Sequence, residues 1–280
     1  MILIADSGST STQWSLLTAG DVQTYQTMGL NPFFNTPAMV EEEIGRHPEI
    51  WSYRTKVREV FFYGSGCGSE KNKRLMTGAL ENTFPQASVT VDSDLLGAAR
   101  GLFHQKKGVA CILGTGSNSG LYNGRSIVRT TPALGYILGD EGSGNHLGRE
   151  LLKAYMHQEL PKTLRKKFRT QHSQAPTALL DELYNHPYPN RFLAGFSPFL
   201  SRNMNDPYIE KLVQRSFDQF FQLLEKHYPA DMLQEIRITG SVGWAFKNLL
   251  QDCSSRRGIK ITRIESSPMK GLVEYHKNIH

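Results

Sequence analysis

One pattern constrains the fold of this 280-residue chain more than any other, and it occurs twice: an apolar run ending in a hydroxyl-rich glycine turn. The chain opens MILIADSGSTST, and residues 109–120 read VACILGTGSNSG. A short continuous apolar run bounded by turn residues is what a strand buried on both faces requires. Each run leads into a hairpin signal, Ala19-Gly20-Asp21 after the first and Asn123-Gly124 after the second. The latter dipeptide is favoured in tight type I′ turns.

Hydrophobic period repeats the same plan through both halves. The first half reads as a strand over 2–5, a hairpin of 13–17 with 22–28, and a helix near 38–47. A strand over 57–63, a helix around Leu75 and Ala79, a strand over 89–91 and a helix from near Asp94 follow. That last helix carries Leu95, Ala98, Ala99, Leu102 and Phe103 in one helical stripe. The second half restarts after Lys106-Lys107-Gly108 with a strand over 109–113 and the second hairpin. Next come a helix with Leu147, Leu151 and Tyr155 in line, and a longer one with Val213, Phe217, Phe220 and Leu224. A strand over 235–239, a helix near 243–250, a strand over 258–264 and a helix from about 269 complete it. Both halves therefore read β-β-β-α-β-α-β-α, the second with a helical insertion near 160–207 broken by Pro176, Pro187, Pro189, Pro198 and Pro207. The expected architecture is α/β: two lobes, 1–107 and 108–280, from one duplicated plan, with an interlobe cleft where ligands commonly bind.

Composition removes several function classes. Lys and Arg exceed Asp and Glu by 32 − 26 = 6, an excess compatible with anionic ligands but no indication of nucleic acid. The densest basic run, KTLRKKFRTQH at 162–172, reads as a solvated helix face, with an anion or nucleic-acid patch as the other reading. Three widely spaced cysteines, Cys67, Cys111 and Cys253, argue against a disulfide framework or a cluster held by one chain. No apolar stretch is long enough to span a membrane and no leader pattern is present, so a cytoplasmic protein without membrane partners is expected. The chain contains no Gly-Lys pair and no strict GxGxxG, which disfavours P-loop and Rossmann sites.

The two glycine turns are the alternative route to a phosphate. Gly8 can take backbone angles barred to other residues, letting backbone N–H groups and the hydroxyls of Ser7, Ser9, Thr10, Ser11 and Thr12 converge on an anion. Gly114, Thr115, Gly116, Ser117 and Asn118 offer the same chemistry. Asp6 makes sense beside them as a water-mediated ligand of the Mg²⁺ that accompanies ATP, since that ion keeps several waters. The purely structural alternatives are that each turn only closes a hairpin and that Asp94 is a helix cap or first-turn acid. Likewise Asn31 before Pro32 could begin a turn, and Asp140 and Glu141 could cap a helix near Asn145.

Four segments together, ADSGST, VDSD leading into a helix, ILGTGSN and ITGSV at 238–242, resemble the acetate/sugar kinase, heat-shock chaperone and actin superfamily, whose lobes are ribonuclease H-like. More narrowly, GLNPFF at 29–34, LGTGSN at 113–118 and LGDEGSG at 138–144 resemble the N-acetylglucosamine kinase branch of the BadF/BadG/BcrA/BcrD ATPase family. The resemblance implies ATP and Mg²⁺ as cofactors, with Asp6 near the metal and phosphate contacts from Ser7, Gly8, Ser9, Thr10, Gly114, Thr115, Gly116 and Ser117. It implies adenosine contacts from Gly240 and Ser241, and sugar contacts from Asn31, Ser65, Gly66, Thr115, Asn118 and Asp140. Asp94 matches the general base that takes a proton from the sugar hydroxyl, whereas Asp92 does not match.

Two departures stand out: Ala133-Leu134 replace a Gly-Trp pair usual before GDEGS, and PMKGLVEY with Lys270 replaces a more glycine-rich helix start. The leading expectation is a sugar kinase acting on an amino sugar, N-acetylglucosamine first, with ATP and the sugar as small-molecule partners and a homodimer left open. Glucosamine or another hexose, the activating ATPase of a radical dehydratase (Cys67 being the suggestive residue) and a non-catalytic sensor are the alternatives.

Overall fold

The computed structural model describes residues 1–279. Strands β1 (Ile2–Ser7), β2 (Ser11–Leu17) and β3 (Val22–Met28) precede helices α1 (Pro37–Gly45) and α2 (Pro48–Trp51). Strand β4 (Glu59–Gly64), α3 (Glu70–Thr83), β5 (Ser88–Ser93) and α4 (Asp94–Phe103) complete the first series. The second begins with β6 (Gly108–Leu113), β7 (Ser117–Tyr122) and β8 (Ile127–Thr130), then α5 (Gly135–Leu138) and α6 (Gly144–Met156). Five helices follow, α7 (Lys162–Gln171), α8 (Pro176–Asn185), α9 (Pro189–Ala194), α10 (Ser197–Arg202) and α11 (Pro207–His227). The chain closes with β9 (Ile236–Thr239), α12 (Ser241–Ala245), α13 (Lys247–Arg256), β10 (Ile261–Glu265) and α14 (Met269–Lys277).

The duplicated plan is visible in the sheets. One has the order β3-β2-β1-β4-β5, the other β8-β7-β6-β9-β10, which is the same order in the second series. In the first sheet β1 pairs antiparallel with β2 and parallel with β4, and β4 pairs parallel with β5. Two compact units emerge: residues 1–110, 120–129 and 267–280, and residues 111–119 with 130–266.

The opening apolar run is buried on both faces, as its lack of alternation required. Leu3 and Ala5 pack into a core with Trp14, Phe62, Val60 and Leu80, while Ile4 on the other face joins Leu17, Tyr63, Met269 and Leu272. The C-terminal helix α14 thus belongs to the first unit, with Lys270 on its exposed side. The stripe expected on α4 is real: Leu95, Ala98, Ala99, Leu102 and Phe103 are all buried.

Within the insertion, four of the five prolines start helices rather than break them, and Pro187 lies in the bend between α8 and α9. Pro176, Pro189, Pro198 and Pro207 stand in the first turn of α8, α9, α10 and α11, where their missing N–H costs nothing. Helix α7 buries Leu164 and Phe168 and turns its lysines and arginines outward, the solvated-face reading of the basic run. Phe168 packs against Tyr155, Phe196 and Phe199 at 4.6, 5.7 and 5.3 Å between ring centroids. The helix expected over 243–250 is divided at Phe246 into α12 and α13. Among the described residues no helix is long and apolar enough to cross a membrane.

Candidate functional site

In the first unit the site residues gather at the carboxyl ends of the parallel strands β1, β4 and β5. Register aligns Asp6 with Tyr63 and Tyr63 with Asp92, so the segments leaving all three strands lie side by side. Such strand ends are where open α/β sheets bind ligands. The turn after β1 is shorter than its sequence suggested. Ser7 pairs with Thr12 as the last rung of the ladder, leaving Gly8, Ser9 and Thr10 as the connection, closed by Gly8 N donating to Ser11 O at 3.0 Å.

Two expectations about this turn are corrected. The hydroxyls of Ser7 and Thr12 face inward: they lie 2.7 Å apart, and the Ser7 hydroxyl also engages the Leu30 backbone, both distances being 3.0 Å. Ser7 is fully buried, so its hydroxyl anchors the β3 exit rather than facing an anion. Nor does Gly8 take a left-handed φ; a Cβ there would meet Ser11 O at an ordinary 3.7 Å. The constrained glycine is Gly29, whose Cβ would come within 2.5 Å of Gly8 O and 2.6 Å of Ser9 O. Gly29 N also donates to Thr10 O at 3.0 Å, so the turn is shaped by a residue some twenty positions away.

Asp94 follows β5 directly as the first residue of α4. The capping role belongs to Ser93, whose hydroxyl accepts from Leu96 N at 3.2 Å, and Asp94 Oδ1 accepts from Leu95 N at 2.8 Å. Burial raises the Asp94 carboxyl to about 6, with the Leu95 and Asp94 amides pulling the other way. Asp6 is raised further, to about 7, by burial first and then by the negative charge of Asp94. Two carboxyls raised by burial at the ends of β1 and β5, the charge of one acting on the other, are the perturbation expected where a cation or a transferred proton belongs. Asp92 has a different environment: Lys73 Nζ lies 2.8 Å from Oδ1 and Arg100 3.8 Å from Oδ2, so it is a paired structural acid.

The turn after β4 joins this group. Ser65 N donates to Ser7 O at 2.7 Å, and Asn72 Nδ2 on α3 donates to Gly66 O at 2.8 Å. Asn31 reaches Gly66 closely enough that a Cβ on Gly66 would meet its Oδ1 at 2.5 Å. The turn reading of Asn31 is also realised, since Oδ1 accepts from Phe33 N at 2.9 Å and its carbonyl from Phe34 N and Asn35 N, both at 2.9 Å. Cys67 is buried in the same core and burial lifts its thiol to about 12, which suits packing and not a cluster ligand.

In the second unit the GTGSN segment is held from two sides. Helix α6 donates its first two amides to it, Gly144 N to Gly114 O at 2.8 Å and Asn145 N to Thr115 O at 3.0 Å. Strand β7 then begins at Ser117, so Ser117 and Asn118 belong to the strand. Asp140 approaches the turn side-on: Oδ1 accepts from Ser117 N at 3.3 Å, Oδ2 from Asn145 Nδ2 at 2.7 Å, and a Cβ on Gly116 would sit 3.0 Å from Oδ2. The helix cap is Ser143, accepting from His146 N at 3.3 Å, so neither Asp140 nor Glu141 caps α6. Burial raises the Asp140 carboxyl, with Asn145 and Ser117 opposing. Asn118 Oδ1 accepts locally from Ser119 N at 2.9 Å. A pocket alongside is lined by Asn118, Asp140, Ala133, Leu134 and, from α11, Phe220 and Leu224.

Gly240 packs against this same turn at φ +117°, where a Cβ would lie 2.4 Å from Leu113 O and 3.1 Å from Gly114 N. Its glycine is required by protein backbone, and it brings the exposed Ser241 next to Gly114. At Gly114 a Cβ would meet nothing within 4 Å. Sequence reasoning missed Gly29, Asn145, His146 and Ser216; buried polar side chains on otherwise apolar helix faces are the signal the last three offered. Among the described residues no cluster of three or more His, Cys, Asp or Glu side chains forms a self-contained metal cage. A Mg²⁺ arriving with nucleotide phosphates needs fewer protein ligands, and the raised carboxyl of Asp6 fits that use.

No protein-family model matches the sequence, and no curated protein matches it. Among solved structures, one from Porphyromonas gingivalis, named a "putative N-acetylglucosamine kinase", superposes with a TM-score of 0.92 at 37% identity over 99% of both chains. One from Chromobacterium violaceum with the same name gives 0.67 at 17% identity over 98% of both chains. A "putative sugar kinase" from Cytophaga hutchinsonii gives 0.51 at 17% identity over 100% of this chain and 99% of that one. These last two share the fold alone. The two equivalent five-stranded sheets are thus the duplicated fold of actin-like sugar kinases. The chain belongs to the sugar-kinase family of the Porphyromonas gingivalis protein.

Proposed function

We propose that this protein transfers the γ-phosphoryl group of Mg-ATP to an amino sugar, N-acetylglucosamine at its 6-hydroxyl, giving the sugar 6-phosphate and ADP. The observation that carries this reading is the pair Asp6 and Asp94, both raised by burial and set at the carboxyl ends of β1 and β5, the two strands that flank β4. Membership of the sugar-kinase family supports it, and GLNPFF with LGDEGSG supports placement in the BadF/BcrA-type branch.

Asp94 accepts the proton of the attacking sugar hydroxyl; near pH 7 a carboxyl at about 6 is ionised yet still basic enough to be useful. Asp6 would be the residue that holds Mg²⁺, and that ion would supply charge neutralisation on the phosphates. Ser9, Thr10 and the amides of the first turn contact phosphate, as do Gly114, Thr115, Gly116 and Ser117, with Gly240 and Ser241 along the adenosine. Asp140, Asn118, Thr115, Asn31, Ser65 and Gly66 orient the sugar hydroxyls, each carboxylate or amide able to engage more than one of them.

Glucosamine or another hexose is the second reading, favoured by Ala133 and Leu134 lining the pocket beside Asn118 and Asp140. The test is ADP release with Mg-ATP against N-acetylglucosamine, glucosamine, N-acetylmannosamine, glucose and no sugar. Release with N-acetylglucosamine is expected. Release with another sugar moves the substrate, sugar-independent release indicates an ATPase, and no release overturns the kinase.

A further inference from the structure

The loop carrying Asp140 contains an unusual combination of backbone demands. Asp140 itself has φ +60°, a left-handed conformation that a non-glycine residue adopts at a cost. Residues 140–143 form a turn closed by Ser143 N donating to Asp140 O at 3.0 Å, with Gly142 at its third position and φ +80°. This is the type II geometry, in which the third residue needs a positive φ. Gly142 is buried, and a Cβ there would meet Phe220 Cβ at 3.0 Å. Its amide therefore sits in the interior with no helix or sheet to receive it, and an unpaired buried amide is costly.

The partner comes from far along the chain. Ser216, buried on α11, accepts from Gly142 N at 3.1 Å. The same hydroxyl lies 2.7 Å from His146 Nδ1, and His146 is buried on α6. The Ser216 oxygen accepts from Gly142 N with one lone pair, and its remaining hydrogen-bonding capacity meets His146 Nδ1, so one hydroxyl ties the loop to α6. Burial, and then the charge of Arg149, push the His146 imidazole down to about 4, so the ring in this contact is neutral. Asn145, beside His146, donates to Asp140 Oδ2 at 2.7 Å. The Asp140 carboxylate is thus fixed through its own loop by Ser216 and His146 and directly by Asn145.

We infer that Ser216 and His146 form a hydrogen-bonded strut that positions Asp140 for the sugar, so that acceptor affinity is set partly from α11. The inference rests on the proposed kinase reading, in which Asp140 contacts the sugar. Neither Ser216 nor His146 touches a substrate; both are positioning residues.

A double-mutant cycle tests it, using the full chain with sugar KM, ATP KM and kcat measured for wild type, Ser216→Ala, Asp140→Asn and the double variant. Equilibrium N-acetylglucosamine binding and thermal unfolding are measured alongside. The expected result for Ser216→Ala is a rise in sugar KM of about tenfold, which is about 1.4 kcal/mol, with ATP KM unchanged. Ser216→Thr, which keeps the hydroxyl, restores most of the affinity. In the Asp140→Asn background the further loss from Ser216→Ala shrinks to less than about twofold. Two results overturn the strut: a full tenfold loss in both backgrounds, or a Ser216→Ala variant with lowered thermal stability and unchanged sugar affinity. A wild-type protein that neither binds nor phosphorylates any sugar overturns the kinase reading and the strut with it. A wild-type kinase with an additive cycle removes the strut alone.

Discussion

Replacing Asp94 with Asn separates chemistry from folding with unusual clarity, because the two effects have opposite signs. The asparagine Oδ1 can still accept from Leu95 N, the bond of 2.8 Å that the aspartate makes, and Ser93 remains the cap of α4. The local helix start is therefore kept. What is removed is a carboxyl raised from 3.8 to about 6. The sign follows from proton linkage. As pH rises from about 4 to about 6 the unfolded chain gives up this proton first, so the folded state loses stability over that window and the loss is complete above it. A displacement of that size corresponds to at most about 3 kcal/mol; partial solvent contact of Asp94 reduces the expected gain in Asp94→Asn to about 1–2 kcal/mol. At pH 7.5 the variant should melt about 2–6 °C above wild type, and at pH 4 the two should coincide. Turnover should move the other way. A lost general base costs roughly 10²–10⁴ in kcat, with both KM values nearly unchanged, and wild-type kcat/KM should fall as pH drops through about 6. Sugar-dependent ADP release and calorimetry on the same samples provide both readouts. Turnover within threefold of wild type would refute the base assignment, while lost activity together with a lowered melting temperature would make Asp94 a structural residue of α4.

Two further substitutions probe neighbouring features. Gly29→Ala places a methyl group 2.5 Å from Gly8 O and should displace the first phosphate turn, raising ATP KM about tenfold or more while sugar binding persists; an unchanged ATP KM would remove that turn from nucleotide binding. Asp92→Asn breaks the pair with Lys73 at 2.8 Å and weakens that with Arg100, so it should cost about 1–3 kcal/mol in denaturant unfolding and change kcat less than about fivefold; a kcat loss matching that of Asp94→Asn would reverse the two roles.

The residues of the candidate site differ in how openly the sequence declares them. The glycine turns, Asp6 and Asp94 lie within a few positions of strand ends, so hydrophobic period locates them. The Asp92 and Asp94 carboxyls are two residues apart, and only the positions of Lys73 and Arg100 in space tell a paired acid from an unpaired one. The hydroxyl of Ser7 looks like a phosphate ligand in DSGSTST, yet the strand continues one pair further and turns it onto Leu30. Prolines in the insertion read as interruptions because sequence shows where a helix cannot continue, and the fold shows that Pro176, Pro189, Pro198 and Pro207 each begin the next one.

The sequence by itself determined the order of strands and helices, the duplication and the buried character of β1, because these follow from local spacing of apolar residues and from turn chemistry. Tertiary structure alone decided which glycines are obligatory, which hydroxyls face inward, and that Ser216 supports a loop 74 residues away. Those outcomes depend on interatomic distances between segments remote in the chain, and a one-dimensional pattern carries no information about which buried amide a distant hydroxyl will meet.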